Sequence, residues 1–65
     1  MGARYGRALQ ELLRNHKCTY VREGKGDHEI WYSPITNRIV VVDFGTRNRH
    51  TANDALKDAG IKHKF

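Results

Sequence analysis

Sixty-five residues make one small domain, a size that buries roughly 60% of its unfolded surface and is only marginally stable alone. Twelve Lys and Arg against seven Asp and Glu give a net charge of +5 and a pI near 9.8, the electrostatic footprint of a nucleic-acid binder. The longest apolar run, Ile39 to Val42, is far too short to span a membrane, and a lone cysteine excludes an internal disulfide.

Met1 to Arg14 mixes charges with its apolar positions and lacks a continuous hydrophobic stretch, so no signal peptide is expected. The start also lacks the Ser or Thr of a myristoylation site. A cytoplasmic protein is expected, with Cys18 acting as a small buried hydrophobe in a reducing compartment. Residues 1–65 read as a single domain without linker or repeat.

Tyr5, Ala8, Leu9, Leu12, Leu13 and His16 recur at helical spacing and predict an amphipathic helix over Arg4 to Asn15. Gly6 weakens its first turn. Cys18 to Glu23 favours a strand, Gly24 to Asp27 a turn, and His28 to Ser33 a second strand. Trp31 and Tyr32 face opposite sides of that strand, one toward the core. Pro34 and Asn37 mark the next turn, and Arg38 to Asp43 forms a third strand that is apolar on both faces. One face meets the helices and leaves the other for a partner.

Phe44 to His50 reads as a basic loop, after which Thr51 is expected to cap a second helix with Asp54 three residues on. Ala52, Ala55, Leu56 and Ala59 give that helix one apolar face. Gly60 closes it as a left-handed cap, with Ile61 against Leu56. Residues 62–65 form a basic tail of undefined order. Helix, three-strand meander, helix implies an α+β domain with both helices on one face of an antiparallel sheet. Double-stranded-RNA-binding domains share this arrangement and read RNA by shape and backbone.

His28 is the sharpest chemical candidate. It opens a strand directly after the basic turn Gly24-Lys25-Gly26-Asp27, and an imidazole exchanges protons near neutral pH. RNA carries its own nucleophile, the 2′-OH, so its cleavage needs a base, in-line positioning and charge stabilisation, and neither cofactor nor metal is required. Lys25 is placed to reach the phosphate, with Arg22 or Arg38 adding charge stabilisation. Arg47, Arg49 and Lys57 complete the expected RNA-binding set. His50, Lys25 and Tyr32 are open as a second acid or base. The competing reading leaves His28 as an exposed polar strand residue. The four histidines and Cys18 lack metal-ligand spacing, so no metal site is expected.

The chain resembles the HicA family of toxin mRNA interferases. The resemblance rests on Leu12-Leu13-Arg14-Asn15, Val21-Arg22, Gly26-Asp27-His28-Glu29-Ile30-Trp31 and the closing run Thr51 to Ile61. It implies a double-stranded-RNA-binding-domain-like fold, an endoribonuclease that cleaves mRNA through His28, and a HicB-like antitoxin that neutralises it. It also implies contact with DNA only indirectly, through that antitoxin. Asp27 stands where the family often has Ser. It either orients His28 and raises its basicity or repels the phosphate. Lys17-Cys18 replaces the aromatic usual near the first strand. A non-catalytic RNA-binding module, or a protein-binding subunit of an autoregulating complex, are the alternatives.

Overall fold

The apolar stripes and strand signals resolve into two helices packed on one face of a three-stranded antiparallel sheet. The computed structural model describes residues 4–65. Its elements are α1 (Gly6–Asn15), β1 (Thr19–Glu23), β2 (His28–Ser33), β3 (Arg38–Asp43) and α2 (Arg49–Asp58). The sheet order is β1-β2-β3, an α+β meander as the pattern predicts. Among the described residues no helix is long and apolar enough to cross a membrane.

Helix α1 starts two residues later than the periodicity predicts. Tyr5 provides no side-chain cap, and its backbone N–H instead donates to the Thr46 carbonyl at 3.1 Å. Gly6 is there for close approach: a Cβ on it would stand 2.0 Å from the Phe44 carbonyl oxygen. At the other end Lys17 adopts φ 69°, and Cys18 N–H donates to the Leu13 carbonyl at 2.9 Å. With Lys17 N–H on Arg14, this is a Schellman closure built on a non-glycine residue. His16, half-buried, donates from Nδ1 to the Leu12 carbonyl at 2.8 Å, a second bond to an acceptor that also takes the His16 backbone N–H at 3.1 Å. Cys18 is buried, but its amide is spent on that closure, so β1 begins only at Thr19.

Register sorts the sheet into two faces. Trp31 pairs with Val40 and Glu29 with Val42, and these project under the helices. Trp31, Val40 and Val42 are buried with Leu9 and Leu13 of α1 and Ala52, Ala55 and Leu56 of α2 in one core. Trp31 is therefore the core aromatic and Tyr32 the outward one. Tyr32 pairs with Ile39, Ile30 with Val41 and His28 with Asp43 on the open face. Ile39 and Val41 are 54% and 56% exposed, so the second apolar face of β3 is uncovered. β1 is exposed along its length and carries an irregularity between Tyr20 and Arg22.

Polar groups that enter the core are matched. Glu29 accepts from Gln10 Nε2 at 2.9 Å and from Trp31 Nε1 at 3.0 Å. Ser33 Oγ donates to the Ala59 carbonyl at 2.6 Å, tying β2 to the end of α2. No buried side-chain nitrogen or oxygen among the described residues is left without a partner.

The start of α2 corrects the sequence reading. Asn48, not Thr51, caps it, accepting from His50 N–H at 2.8 Å and Thr51 N–H at 3.4 Å. Asn and Thr are both good caps, and choosing Asn48 adds a turn, so Arg49 and His50 leave the loop and join the helix. Gly60, at φ 78°, closes α2 as predicted, with Ile61 N–H on the Leu56 carbonyl at 2.9 Å. The basic tail has a defined path. Phe65 N–H donates to Asn53 Oδ1 at 2.8 Å, and its ring lies 4.8 Å from that of Tyr5.

Candidate functional site

The β1–β2 turn builds the site around His28. His28 N–H donates to the Lys25 carbonyl at 3.0 Å, and Gly24 N–H to the His28 carbonyl at 2.8 Å. Gly26 supplies the positive φ, 57°, that closes so short a loop. The His28 ring folds back on the same turn, its Nδ1 lying 2.8 Å from the Lys25 carbonyl oxygen. A carbonyl only accepts, so Nδ1 carries the hydrogen and the neutral ring leaves Nε2 as its basic nitrogen. The imidazole is exposed, which opens Nε2 to a ligand.

Neither acidic neighbour in sequence performs the orienting role. Glu29 points to the opposite face, into the contact with Gln10 and Trp31. The Asp27 carboxylate lies against Gly45, while its carbonyl accepts from Phe44 N–H at 2.9 Å. Asp43 is the residue opposite His28 across the ladder, and its Oδ1 accepts from Gly45 N–H at 3.1 Å. Sequence alone missed Asp43; only the register reveals it.

The expected cations divide into separate places. Lys25 is exposed on the turn, and Arg22, opposite Ile30, is the diagonal open-face neighbour of His28. Such diagonal positions are about 7–8 Å apart, within reach of an arginine. Arg38 pairs with Ser33 at the far end of β3, five residues from Asp43 or about 17 Å along the strand, and on the helix side of the sheet. The structure does not bring it together with His28. Arg47 is exposed in the loop before α2, Arg49 opens α2, and Lys57 lies in its last turn. His50 sits in the first turn of α2 and Tyr32 bonds Asn37 Oδ1, so neither pairs with His28.

A groove of about 210 Å³ runs from His28, Val41 and Asp43 to Thr51, Asp54 and Asp58 on α2. Its charged walls are acidic apart from the imidazole. Among the described residues no group of three or more His, Cys, Asp or Glu is placed to hold a metal ion. On the other side of the sheet, Tyr20 stands edge-on to Trp31 at 5.8 Å, and Arg14 lies 5.7 Å over the same indole. Partial burial, followed by the charges of Glu23 and Glu29, pushes the Tyr20 phenol above its ordinary value. Compared with known protein families, curated proteins and solved structures, the chain finds no match.

Proposed function

We propose that this domain is an endoribonuclease toxin of HicA type, cleaving mRNA through His28 without a metal. The observation that carries the reading is the Lys25 carbonyl on His28 Nδ1, which leaves a solvent-facing Nε2 on a rigid strand end. His16 makes the same kind of bond to the Leu12 carbonyl but is half-buried at a helix end, whereas His28 is exposed beside a basic turn, where a general base can meet its substrate.

In this reading Nε2 takes the 2′-OH proton as the 2′-oxygen bonds to phosphorus. The P–O5′ bond breaks, water protonates the departing 5′-oxygen, and the imidazolium returns its proton to solvent. The products are a 2′,3′-cyclic phosphate and a 5′-hydroxyl. Arg22 and Lys25 stabilise the extra charge on the phosphoryl oxygens. The acidic groove beside His28 disfavours a phosphate within it, so the scissile phosphate is held over the open sheet face on the Arg22 and Lys25 side.

That open face also suits an antitoxin. Exposed Ile39 and Val41, with half-buried Ile30 and Tyr32, form an apolar surface beside His28. A HicB-like protein seated there buries apolar anchors and occludes the imidazole. The test is induced expression in a host. Wild type arrests growth, His28→Ala does not, and co-expressed antitoxin restores growth to wild type. Arrest by a folded His28→Ala protein removes the proposal.

A further inference from the structure

A second concavity lies away from His28. It lies across α2, between that helix and the segment 60–65, and has a volume of about 1010 Å³. Its charged lining is Arg49, Lys57, Lys62 and Lys64 against Asp54 alone. Two of these cations come from the tail, which the Phe65 contacts with Asn53 and Tyr5 hold beside the helix. The His63 ring stands edge-on to Phe65 at 5.2 Å and is exposed, as is His50 on the facing helix.

From this placement we infer that the groove binds the backbone of single-stranded RNA, a second contact for the strand that His28 cuts. The inference rests on the reading of the domain as an RNA enzyme. Four cations and one carboxylate around an open trough attract a polyanion, and exposed rings among them offer faces on which unpaired bases stack. Those rings favour RNA over an acidic protein, which would use the cations alone.

Asp54 links the two sites. It lines this trough and also the small groove that reaches His28, so only the α2 ridge separates them. A strand leaving the open sheet face around that ridge passes Asp54 and meets the cations beyond. The carboxylate there weakens RNA binding.

The test uses His28→Ala protein, so that RNA survives, and a fluorescein-labelled 12-nucleotide single-stranded RNA followed by anisotropy at several salt concentrations. Lys57→Ala, Lys62→Ala and Lys64→Ala are combined; all three residues are exposed, and circular dichroism checks the fold. Each lost phosphate contact removes about 0.7 from the slope of log K against log salt, so the triple variant loses about 2. Asp54→Asn tightens binding severalfold, and Lys→Arg at the same three positions retains the parent slope. An unchanged slope in the triple variant overturns the inference while leaving RNA binding elsewhere intact. No RNA binding by the parent protein overturns both this inference and the functional reading. Polyglutamate that binds in the groove where RNA does not also overturns it, and assigns the groove to an acidic protein.

Discussion

Gly6→Ala sets two effects of opposite sign against each other. Alanine in a helix is favoured over glycine by about 1 kcal/mol. Against that, the new Cβ would lie 2.0 Å from the Phe44 carbonyl oxygen and 2.8 Å from both its carbonyl carbon and ring Cδ2. Two of those three atoms are backbone, so no rotamer change relieves the contact, and α1 or the segment just after β3 must move by more than 1 Å (about the gap to ordinary contact distance). Overpacking of this kind costs about 1–3 kcal/mol, and a backbone obstruction lies at the upper end. A net loss of about 2 kcal/mol is expected, or roughly 8–16 °C in Tm for a domain of this size. The damage also reaches the candidate site, because Phe44 N–H holds the Asp27 carbonyl next to His28. Gly45→Ala is the control. Its nearest obstacle, at 2.6 Å, is Asp27 Oδ2, the end of a side chain that swings aside, so it loses less than about 1 kcal/mol. Urea and thermal unfolding followed by circular dichroism measure both. Gly6→Ala more stable than wild type would refute the close-approach argument, since propensity alone would then govern the position.

Other consequences follow from named contacts. Lys17→Gly relieves a left-handed residue and raises stability by about 0.5–1 kcal/mol, read as a higher urea midpoint; a lower midpoint contradicts the Schellman assignment. Arg22→Ala slows RNA cleavage about tenfold or more, whereas Arg38→Ala leaves single-turnover cleavage unchanged, and equal effects would contradict the split of cations across the sheet. The Tyr20 phenol, raised in the native state, titrates above 10.0 in the ultraviolet difference between wild type and Tyr20→Phe. Because the native pKa lies above the unfolded one, the neutral phenol's contribution is complete below pH 10 and is lost as pH rises through the native pKa. A Tyr20 titration at or below 10.0 contradicts its partial burial against Trp31 and the influence of the Glu23 and Glu29 charges.

Local chemistry made most of the fold legible. The stripes Leu9-Leu13 and Ala52-Ala55-Leu56, the turn at Gly24 to Asp27, and the Gly60-Ile61 closure each rest on interactions within a few residues, and each is found where the pattern places it. Thr51 lost to Asn48 because two competent caps stand three residues apart and periodicity does not choose between them. The order of the tail was hidden because its anchors, Asn53 and Tyr5, are distant in sequence. The candidate site divides the same way. His28 and the basic turn are sequence neighbours, whereas Asp43 opposite the ring and the isolation of Arg38 depend on strand register.

The central claim is that His28 Nε2 takes the 2′-OH proton. Single-turnover cleavage of one RNA by wild type and by His28→Ala of matching circular dichroism tests it most directly, with a strand 2′-deoxy at the cut nucleotide as a second substrate. The account predicts cleavage of the RNA by wild type alone, a 2′,3′-cyclic phosphate product, and no cut in the 2′-deoxy strand. Cleavage by His28→Ala at the wild-type rate, or a cut in the 2′-deoxy strand, would contradict it.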